Sequence, residues 1–203
     1  GDLRNKAISH CNGDWIFSLD SDERCTIEVK DEILSTIDNA KFDIYKLPRK
    51  NFFMGKWIKY SGWYPNFRQP QLFKNGKMSY SLDEVHEGFI SHSSKEIGIL
   101  INHIWQFPFK NTEEVLYKAN RYSTLGVKKL QDKGVTGGVF KAFIHGSWSF
   151  IKHYIFKLGF LDGGAGFVIA FGNFEGTFYR YIKLTEADSD WKAPETKSIS
   201  EDL

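Results

Sequence analysis

The chain has 203 residues, 41% of them hydrophobic and 16% aromatic, which is enough for one substantial core or for a domain with an appendage. No apolar run approaches the roughly 20 residues that a membrane-spanning helix needs, and two cysteines exclude a disulfide-rich framework, which fits a reducing compartment. The net charge of +2 is uneven, because residues 1–40 hold 4 basic and 9 acidic side chains whereas residues 41–183 hold 21 and 10. Basic charge among aromatic residues indicates an anionic partner.

The first predicted elements are a helix over residues 3–12 and a buried strand over Trp15–Leu19. Apolar side chains recur at helical spacing before Gly13, and the strand is a run of mostly apolar, β-branched or aromatic residues. A helix followed at once by a strand is half of an α/β unit. Because the chain also starts at Gly1 rather than at Met, we expect the first strands of the sheet to be missing.

The predicted strand runs directly into Asp20-Ser21-Asp22. Open α/β sheets bind ligands at the ends of their strands, so this pattern predicts two carboxylates at the rim of the sheet. Paired oxygen ligands suit a hard cation such as Mg²⁺ or Mn²⁺ that also holds phosphates. The alternative is a strand followed by a solvated acidic turn.

The next predicted helix covers residues 28–39, with Ile33, Leu34 and Ile37 facing inward. Residues 49–70 are predicted to form a long aromatic and basic loop, and a loop of this length is usually functional when it is not disordered. Short strands are predicted on both sides of this loop, over residues 42–47 and 71–73.

A compact cluster of acids and one histidine follows within residues 82–87. Asp83, His86 and Glu87 combine an imidazole that can bind a metal with candidate general bases. A histidine near acids is more often part of a surface ion pair. Here it follows both the Asp-x-Asp strand and an aromatic segment suited to stacking on sugar rings, which favours a functional role.

The segment after this cluster predicts one more strand and one helix. The strand covers residues 96–105, and Asn111 or Thr112 caps a helix that runs to about Lys133. Acidic residues in the first turn and lysines in the last turn suit the helix dipole.

Two further helical stretches, over residues 138–158 and 163–184, are apolar, aromatic and rich in lysine. We expect them either to lie on an anionic membrane leaflet or to pack on the preceding domain. The acidic, aperiodic residues after Thr185 are predicted to be disordered.

Three chemical interpretations of the Asp-x-Asp motif compete with the acidic turn. A calcium loop of the EF-hand kind needs Gly and Glu where this chain has Cys25 and Asp31. A phosphatase of the haloacid dehalogenase type favours Thr or Val where this chain has Arg24. A glycosyltransferase uses such a pair to hold a metal on the pyrophosphate of a nucleotide-sugar, and the acid-histidine cluster and the aromatic segment favour this interpretation.

Residues 3–186 carry a series of motifs in a recognisable order. The motifs are Arg4-Asn5-x-Ala7, Gly13-Asp14-Trp15-Ile16-Phe17-Ser18-Leu19-Asp20-Ser21-Asp22-Glu23-Arg24, Phe52-Phe53-Met54-Gly55-Lys56-Trp57-Ile58, Gly62-Trp63-Tyr64-Pro65, Val85-His86-Glu87, Asn120-Arg121-Tyr122-Ser123-Thr124 and Leu158-Gly159-Phe160-Leu161-Asp162-Gly163. The chain thereby resembles family 2 glycosyltransferases of the lipopolysaccharide-core type, which include bacterial enzymes that add a β-glucose to an inner-core heptose. The resemblance implies an α/β, GT-A-like (Rossmann-like) fold without its first strands and with a C-terminal amphipathic helical extension.

The resemblance also implies roles for individual residues. Asp22 is the expected first metal ligand and His86 the second, Asp20 is expected to contact the ribose or the metal, and Arg4 the phosphate of the nucleotide-sugar. The residues expected to contact the acceptor are Trp63, Tyr64 and Arg68. Relatives usually have an arginine at the position of Gln71, and Arg68 is its expected substitute.

Two carboxylates are candidates for the catalytic base. Simple strand alternation favours Asp83, because a neighbour of a metal-facing His86 points away from the metal. The resemblance favours Glu87 in the Val-His-Glu motif, and Gly88 permits the turn that this choice requires.

The implied division of the chain is the C-terminal part of a catalytic domain over residues 1–110, a helical extension over residues 111–186 and a disordered tail over residues 187–203. The implied activity is inverting, metal-dependent transfer of a hexose from a nucleotide-diphospho-sugar, with UDP-hexose expected, to a glycolipid acceptor of the lipopolysaccharide-core type. We expect no nucleic-acid partner, an inactive fragment, and a cytoplasmic location that includes the inner face of the cytoplasmic membrane. The alternative function is a non-catalytic carbohydrate- or membrane-surface-binding module.

Overall fold

The structure is a computed structural model that describes residues 2–67, 69–81 and 88–189. The chain divides into two compact units. The first unit comprises Gly1–Lys110 and the short segment Leu158–Gly166, and the second comprises Asn111–Lys157 and Phe167–Leu203. The segment between the two C-terminal helices therefore folds with the first unit.

The first unit is a mixed α/β structure. Its described elements are α1 (Asp2–Ser9), β1 (Trp15–Phe17), β2 (Glu23–Arg24), α2 (Ile27–Asp38), β3 (Ile44–Lys46), β4 (Arg49–Phe53), β5 (Lys56–Trp57), β6 (Leu72–Lys74), β7 (Met78–Tyr80), β8 (Phe89–Ser91), β9 (Gly98–Ile99) and β10 (Ile104–Gln106), followed by a 3₁₀ helix at Gly159–Asp162. Within the described ranges the strands are ordered β1-β6-β3-β9 in one sheet, β2-β10-β4-β5 in a second, and β7-β8 in a hairpin. Two strand pairs, β3 with β9 and β10 with β4, are parallel.

The core lies on both faces of the β1-β6-β3-β9 sheet. Side chains alternate between the faces of a strand, so Tyr45 of β3 joins a cluster with Val29 of α2, whereas its neighbour Ile44 joins Ile16 of β1 and Phe73 of β6. Helix α2 covers the first face, and Ile8 of α1 packs against the second cluster. Helices on the faces of a partly parallel sheet agree with the expected α/β class.

The prediction of a long loop over residues 49–70 was wrong in its first part. Residues 49–57 form the hairpin of β4 and β5, with Phe52 paired to Trp57. Met54 and Gly55 form its turn, and both have a positive φ, of 49° and 76°. A two-residue turn of this kind matches the twist of antiparallel strands, and glycine adopts its left-handed conformation without strain.

Two predicted details of the first unit also differ in the structure. Leu34 is 52% exposed, because α2 turns Val29, Ile33 and Ile37 toward the sheet at a spacing of four residues. The strand predicted over residues 96–105 is interrupted, and the reason is that the carboxylate of Glu32 accepts the backbone N–H groups of Ile101 and Asn102 at 2.7 and 2.8 Å.

The predicted strand Trp15–Leu19 is shorter in the structure and ends at Phe17. Ser18 still donates its N–H to the carbonyl oxygen of Gln71 at 2.7 Å, but the chain then turns, and the N–H of Glu23 donates to the carbonyl of Asp20. The two aspartates of the motif therefore lie on a turn that connects strands of two different sheets.

The described part of the second unit is helical. It contains α3 (Thr112–Gln131), α4 (Val139–Ile151), a π-helix at Lys152–Phe156, and α5 (Gly164–Asp188), of which all but the first three residues belong to this unit. The predicted cap of α3 is confirmed, because the side chain of Asn111 accepts the N–H of Glu114 at 2.9 Å. Helix α5 includes the first two residues that were assigned to a disordered tail, and residues 190–203 lie outside the described residues. No helix in the described ranges is both long enough and apolar enough to cross a membrane.

Candidate functional site

The first feature of the site is an ion pair between helix α1 and the Asp-x-Asp turn. Nη2 of Arg4 lies 2.7 and 2.8 Å from the two carboxylate oxygens of Asp20. The guanidinium carbon also lies 5.1 Å from the centroid of the Tyr80 ring. Asn5 holds α1 in place by exchanging two hydrogen bonds of 2.8 Å with the backbone of Tyr80. The sequence-predicted residues Arg4 and Asp20 are thus brought together.

The buried carboxylate of Glu23 is hydrogen-bonded to the turn. Glu23 is only 2% exposed, and its Oε2 accepts the backbone N–H of Asp20 at 3.0 Å and the side-chain amide of Gln71 at 2.8 Å. Its Oε1 accepts Nε of Arg49 at 2.6 Å, and this arginine is also buried. Removing either Glu23 or Arg49 would leave the charge of the other residue buried without a partner, which destabilises a fold.

Asp22 is held on its other side by strand β10. Its carbonyl oxygen accepts the N–H of Phe107 at 2.8 Å, and its Oδ2 accepts the side-chain amide of Gln106 at 3.2 Å. The other carboxylate oxygen, Oδ1, has no hydrogen-bond partner among the described residues. The half-buried side chain therefore keeps one anionic oxygen available for a ligand.

Asp22 offers one available carboxylate oxygen, which is the ligand type that Mg²⁺ and Mn²⁺ prefer. Both oxygens of Asp20 are paired with Arg4. Within the described ranges no three His, Cys, Asp or Glu side chains group closely enough to hold a metal ion. The second predicted ligand, His86, lies outside the described residues.

The candidate bases Asp83 and Glu87 and the candidate acceptor contact Arg68 also lie outside the described residues. Strand β7, which precedes residues 82–87, ends beside the Asp-x-Asp turn. Tyr80, the last residue of β7, contacts Arg4 and donates its hydroxyl to Oγ of Ser18 at 3.1 Å. Burial raises the pKa of the Tyr80 hydroxyl, which keeps it in the protonated, donating form.

The two described residues predicted to contact an acceptor lie in different aromatic groups. Trp63 is half-buried against Phe53 and Phe109, at ring-centroid distances of 6.0 and 6.1 Å. Tyr64 is exposed and stacks on His103, to whose Nε2 its hydroxyl is hydrogen-bonded at 3.1 Å. Trp63 is thus packed against other aromatic rings, whereas Tyr64 lies on the surface of the protein.

Trp57 joins Tyr64 and His103 in a basic aromatic surface. Nζ of Lys50 and Nζ of Lys59 lie 4.7 and 4.8 Å from the centroid of the Trp57 ring, and Tyr64 meets this ring edge-on at 5.4 Å. Burial, and next the positive charge of Lys50, lower the pKa of His103, so the imidazole favours its neutral form. A neutral imidazole and a phenol beside two ammonium groups can bind hydroxyl groups and an anion together.

Asp162 binds the loop of residues 59–61. It is buried, and its carboxylate accepts the N–H of Lys59 at 3.0 Å, the N–H of Tyr60 at 3.1 Å and the hydroxyl of Ser61 at 2.8 Å. Sequence reasoning assigned no role to Asp162, although the residue itself belongs to the motif Leu158-Gly159-Phe160-Leu161-Asp162-Gly163. The segment Leu158–Gly166 is thereby attached to the loop that carries Lys59.

Part of the chain is similar in sequence to a known protein family. Residues 1–90 match the model of the family described as Glycosyl transferase family 2. The first part of the chain is thus similar to glycosyltransferase family 2. The mixed α/β architecture with C-terminal helices is consistent with a domain of this family.

Several curated relatives are distantly similar to most of the chain. An uncharacterized glycosyltransferase of Rickettsia felis is 25% identical over 198 residues, with 89% of this chain and 67% of the relative covered. Proteins of the same description from Rickettsia conorii and Rickettsia prowazekii are 25% and 24% identical and are covered over 66% and 65% of their length. The chain thus spans about two thirds of the length of these relatives.

Sequence reasoning missed the support of the turn by Glu23, Arg49 and Gln71. Glu23 was recognised only as part of the motif, and Gln71 only as a departure from the usual arginine. The feature that could have indicated the role of Glu23 is its position directly after the motif, because Glu23 begins the two-residue strand β2, in which Arg24 is exposed. The partners of Glu23 lie 26 and 48 residues away along the chain, a separation that local patterns do not encode.

Proposed function

We propose that the protein is an inverting, metal-dependent glycosyltransferase that moves a hexose from a nucleotide-diphospho-sugar to a glycolipid acceptor. The observation that carries this proposal is the Asp-x-Asp turn that follows strand β1, in the part of the chain that matches the family 2 model, with an available oxygen on Asp22. Arg4, Glu23 and Gln106 hold the turn from three sides, which is the preorganisation that a binding site needs.

The charges around the turn suit a diphosphate. Arg4 neutralises Asp20, which removes a carboxylate charge that would repel the donor. Asp22, with His86 as the second ligand, would hold the metal. A bound metal would neutralise the negative charge that develops on the leaving diphosphate.

The proposed reaction is a single displacement. A carboxylate, Glu87 or Asp83, accepts the proton of the acceptor hydroxyl while the hydroxyl oxygen forms a bond to the anomeric carbon of the hexose. The bond between that carbon and the diphosphate oxygen breaks, and the nucleoside diphosphate leaves with the electron pair. Attack from the face opposite the leaving group inverts the anomeric configuration.

The basic aromatic surface around Trp57 is the proposed acceptor site. Tyr64 presents a ring for stacking on a sugar, and Trp63 supports the adjacent loop from inside. Lys50 and Lys59 carry positive charge over the Trp57 ring, and they form no ion pair with a carboxylate in the part of the chain that the structure describes. An anionic sugar acceptor, such as the phosphorylated core of a glycolipid, fits this combination.

Turnover of a donor tests the proposal. The full-length protein is incubated with UDP-hexose and a lipopolysaccharide-core acceptor, with Mn²⁺ and with a chelator, and the released UDP is measured. We expect release that depends on both the metal and the acceptor. Release at the rate of the protein-free control in both conditions would contradict the proposal.

The second candidate function is a non-catalytic carbohydrate-binding module, which the Trp57 surface favours. Such a module would bind the glycolipid acceptor with micromolar affinity and release no UDP under any condition. Binding of the acceptor by calorimetry, together with the turnover measurement, separates the two functions.

A further inference from the structure

Helix α4 has its small residues on the packed side. Ala142 is fully buried, and Gly146 is buried against Phe174 of α5. A Cβ added to Gly146 would lie 3.0 Å from the Phe174 ring, which shows how closely the two helices approach. Since small residues occupy this side, the large apolar side chains of α4 point elsewhere.

Large side chains form an exposed stripe along the rest of the helix and along the π-helix that follows it, and the ring of one of them, Phe143, also lies 6.3 Å from that of Phe174. Its members are Phe140, Phe143, Ile144, Trp148, Ile151 and Ile155, all of them more than 40% exposed. Their spacing of three or four residues places them on one face. Next to the stripe, the ring of Phe156 lies 5.7 Å from that of Trp148 and is 67% exposed. A continuous exposed apolar surface of this kind marks an interaction site.

The charged side chains of α4 and the π-helix are all lysines, whereas the carboxylate of Asp188 lies near the start of α4 and accepts the N–H of Gly137 at 3.5 Å. Lys141 precedes most of it, and Lys152 and Lys157 lie near its end. No aspartate or glutamate occurs in residues 134–161. Within the described part of the chain these three lysines form no salt bridge with a carboxylate. Lys141 donates to Thr136 and Nζ of Lys157 lies 3.3 Å from Nε2 of His153, but neither contact neutralises the lysine charge.

We propose that α4 and the π-helix lie in the plane of an anionic membrane, with the stripe inserted among the lipids and the lysines at the phosphates. A basic helix with exposed aromatic residues is typical of membrane-surface binding. The charge pattern favours lipid over a second copy of this chain, because pairing two stripes would bring lysines of like sign together. This inference goes beyond the proposed function, since vesicle binding requires neither donor nor acceptor.

Co-sedimentation with vesicles tests the surface. The protein is mixed at low salt with phosphatidylcholine vesicles, with and without phosphatidylglycerol, and the bound fraction is measured. We expect binding to the anionic vesicles that weakens as salt is added. The triple variant Phe140→Ser, Phe143→Ser, Trp148→Ser should bind these vesicles at least about ten-fold more weakly, because three inserted side chains are removed.

A matched control uses exposed apolar residues of α3. The variant Tyr117→Ser, Tyr122→Ser, Leu125→Ser removes a comparable exposed surface from another helix of the same unit and should bind like the wild type. Circular dichroism confirms that each triple variant is folded. Equal loss of binding in both triple variants would contradict the assignment to α4.

A second measurement avoids disruptive substitutions. Vesicles with brominated acyl chains quench the fluorescence of tryptophans that enter the bilayer, and Trp148→Phe should remove most of this quenching while binding is kept. Failure of the wild type to sediment with anionic vesicles overturns the inference. So does a wild-type dimer in ultracentrifugation that the α4 triple variant dissociates, because the stripe would then be a self-association surface.

Discussion

Oε2 of Glu23 accepts the backbone N–H of Asp20 at 3.0 Å, so the residue that follows the Asp-x-Asp motif holds the motif's first member. The same carboxylate binds Arg49, the first residue of β4, and Gln71, which directly precedes β6 of the other sheet. The shape of the turn therefore depends on a buried ion pair. Substitutions beneath the turn should consequently affect the site without touching a substrate.

The first prediction concerns Glu23. Glu23→Gln removes the charge that compensates buried Arg49, and breaking a buried pair of this kind costs about 3–5 kcal/mol. We expect the free energy of unfolding, measured by urea denaturation, to fall by about that amount. Glu96→Gln is the control, because Glu96 is exposed, and it should change stability by no more than about 0.5 kcal/mol. Equal stability of the two variants would contradict the account of the turn.

The second prediction concerns Asp162. Asp162→Asn replaces one accepting oxygen by an NH₂ group that faces the N–H donors of Lys59 and Tyr60. These N–H groups are partly buried, and leaving such donors unpaired costs up to about 1–3 kcal/mol, a loss that we expect urea denaturation to show. Asp132→Asn, at an exposed position near the end of α3, serves as the comparison. If the two substitutions had the same effect, the loop would not depend on Asp162.

The third prediction concerns pH. Burial lowers the pKa of His103 below its ordinary value of 6.5, so the unfolded chain binds a proton at this site at a higher pH than the folded chain does. Stability should therefore fall as the pH decreases through about 6.5 toward the folded-state pKa. His153, whose pKa burial also lowers, contributes in the same direction.

His103→Gln should make stability less dependent on pH in this window, since glutamine does not titrate. The measurement is the free energy of unfolding in urea between about pH 5.5 and 7.5 for the variant and the wild type. An unchanged slope would show that His103 does not contribute.

The fourth prediction concerns the base. Removing a general base typically lowers the rate about 10²–10⁴-fold. We expect Glu87→Gln to lower kcat in that range with an unchanged KM for the donor, and Asp83→Asn to do less. Steady-state kinetics with UDP-hexose decide between them. A larger effect of Asp83→Asn would reverse the two roles.

Local patterns predicted the features that depend on neighbouring residues. The strand before Asp20 and the cap at Asn111 were both recognisable, because an apolar run and a capping side chain act within a few residues. The pairing of Gln71 with Glu23 was not, since the two residues are 48 positions apart and meet only when separate strands pack. The β4-β5 hairpin was missed because its basic and aromatic residues do not alternate in the simple apolar-polar pattern of a half-buried strand.

Helix α4 shows why amphipathicity alone misleads. An apolar face is normally expected to be the packed face. In α4 the packed face is formed by Ala142 and Gly146, whose small size permits close approach to Phe174, and the aromatic face is exposed. Only the three-dimensional packing distinguishes these two arrangements.

The most direct test of the proposed function is metal-dependent transfer by Asp22→Asn. The substitution keeps a side chain of the same size, and its amide oxygen can still accept from Gln106, but the carboxylate charge needed for a metal is lost. We predict that UDP release in the presence of Mn²⁺ falls to the level seen with a chelator, whereas Asp14→Asn, at an exposed site before the strand, behaves like the wild type. Unchanged release with unchanged metal dependence in Asp22→Asn would contradict the proposed function.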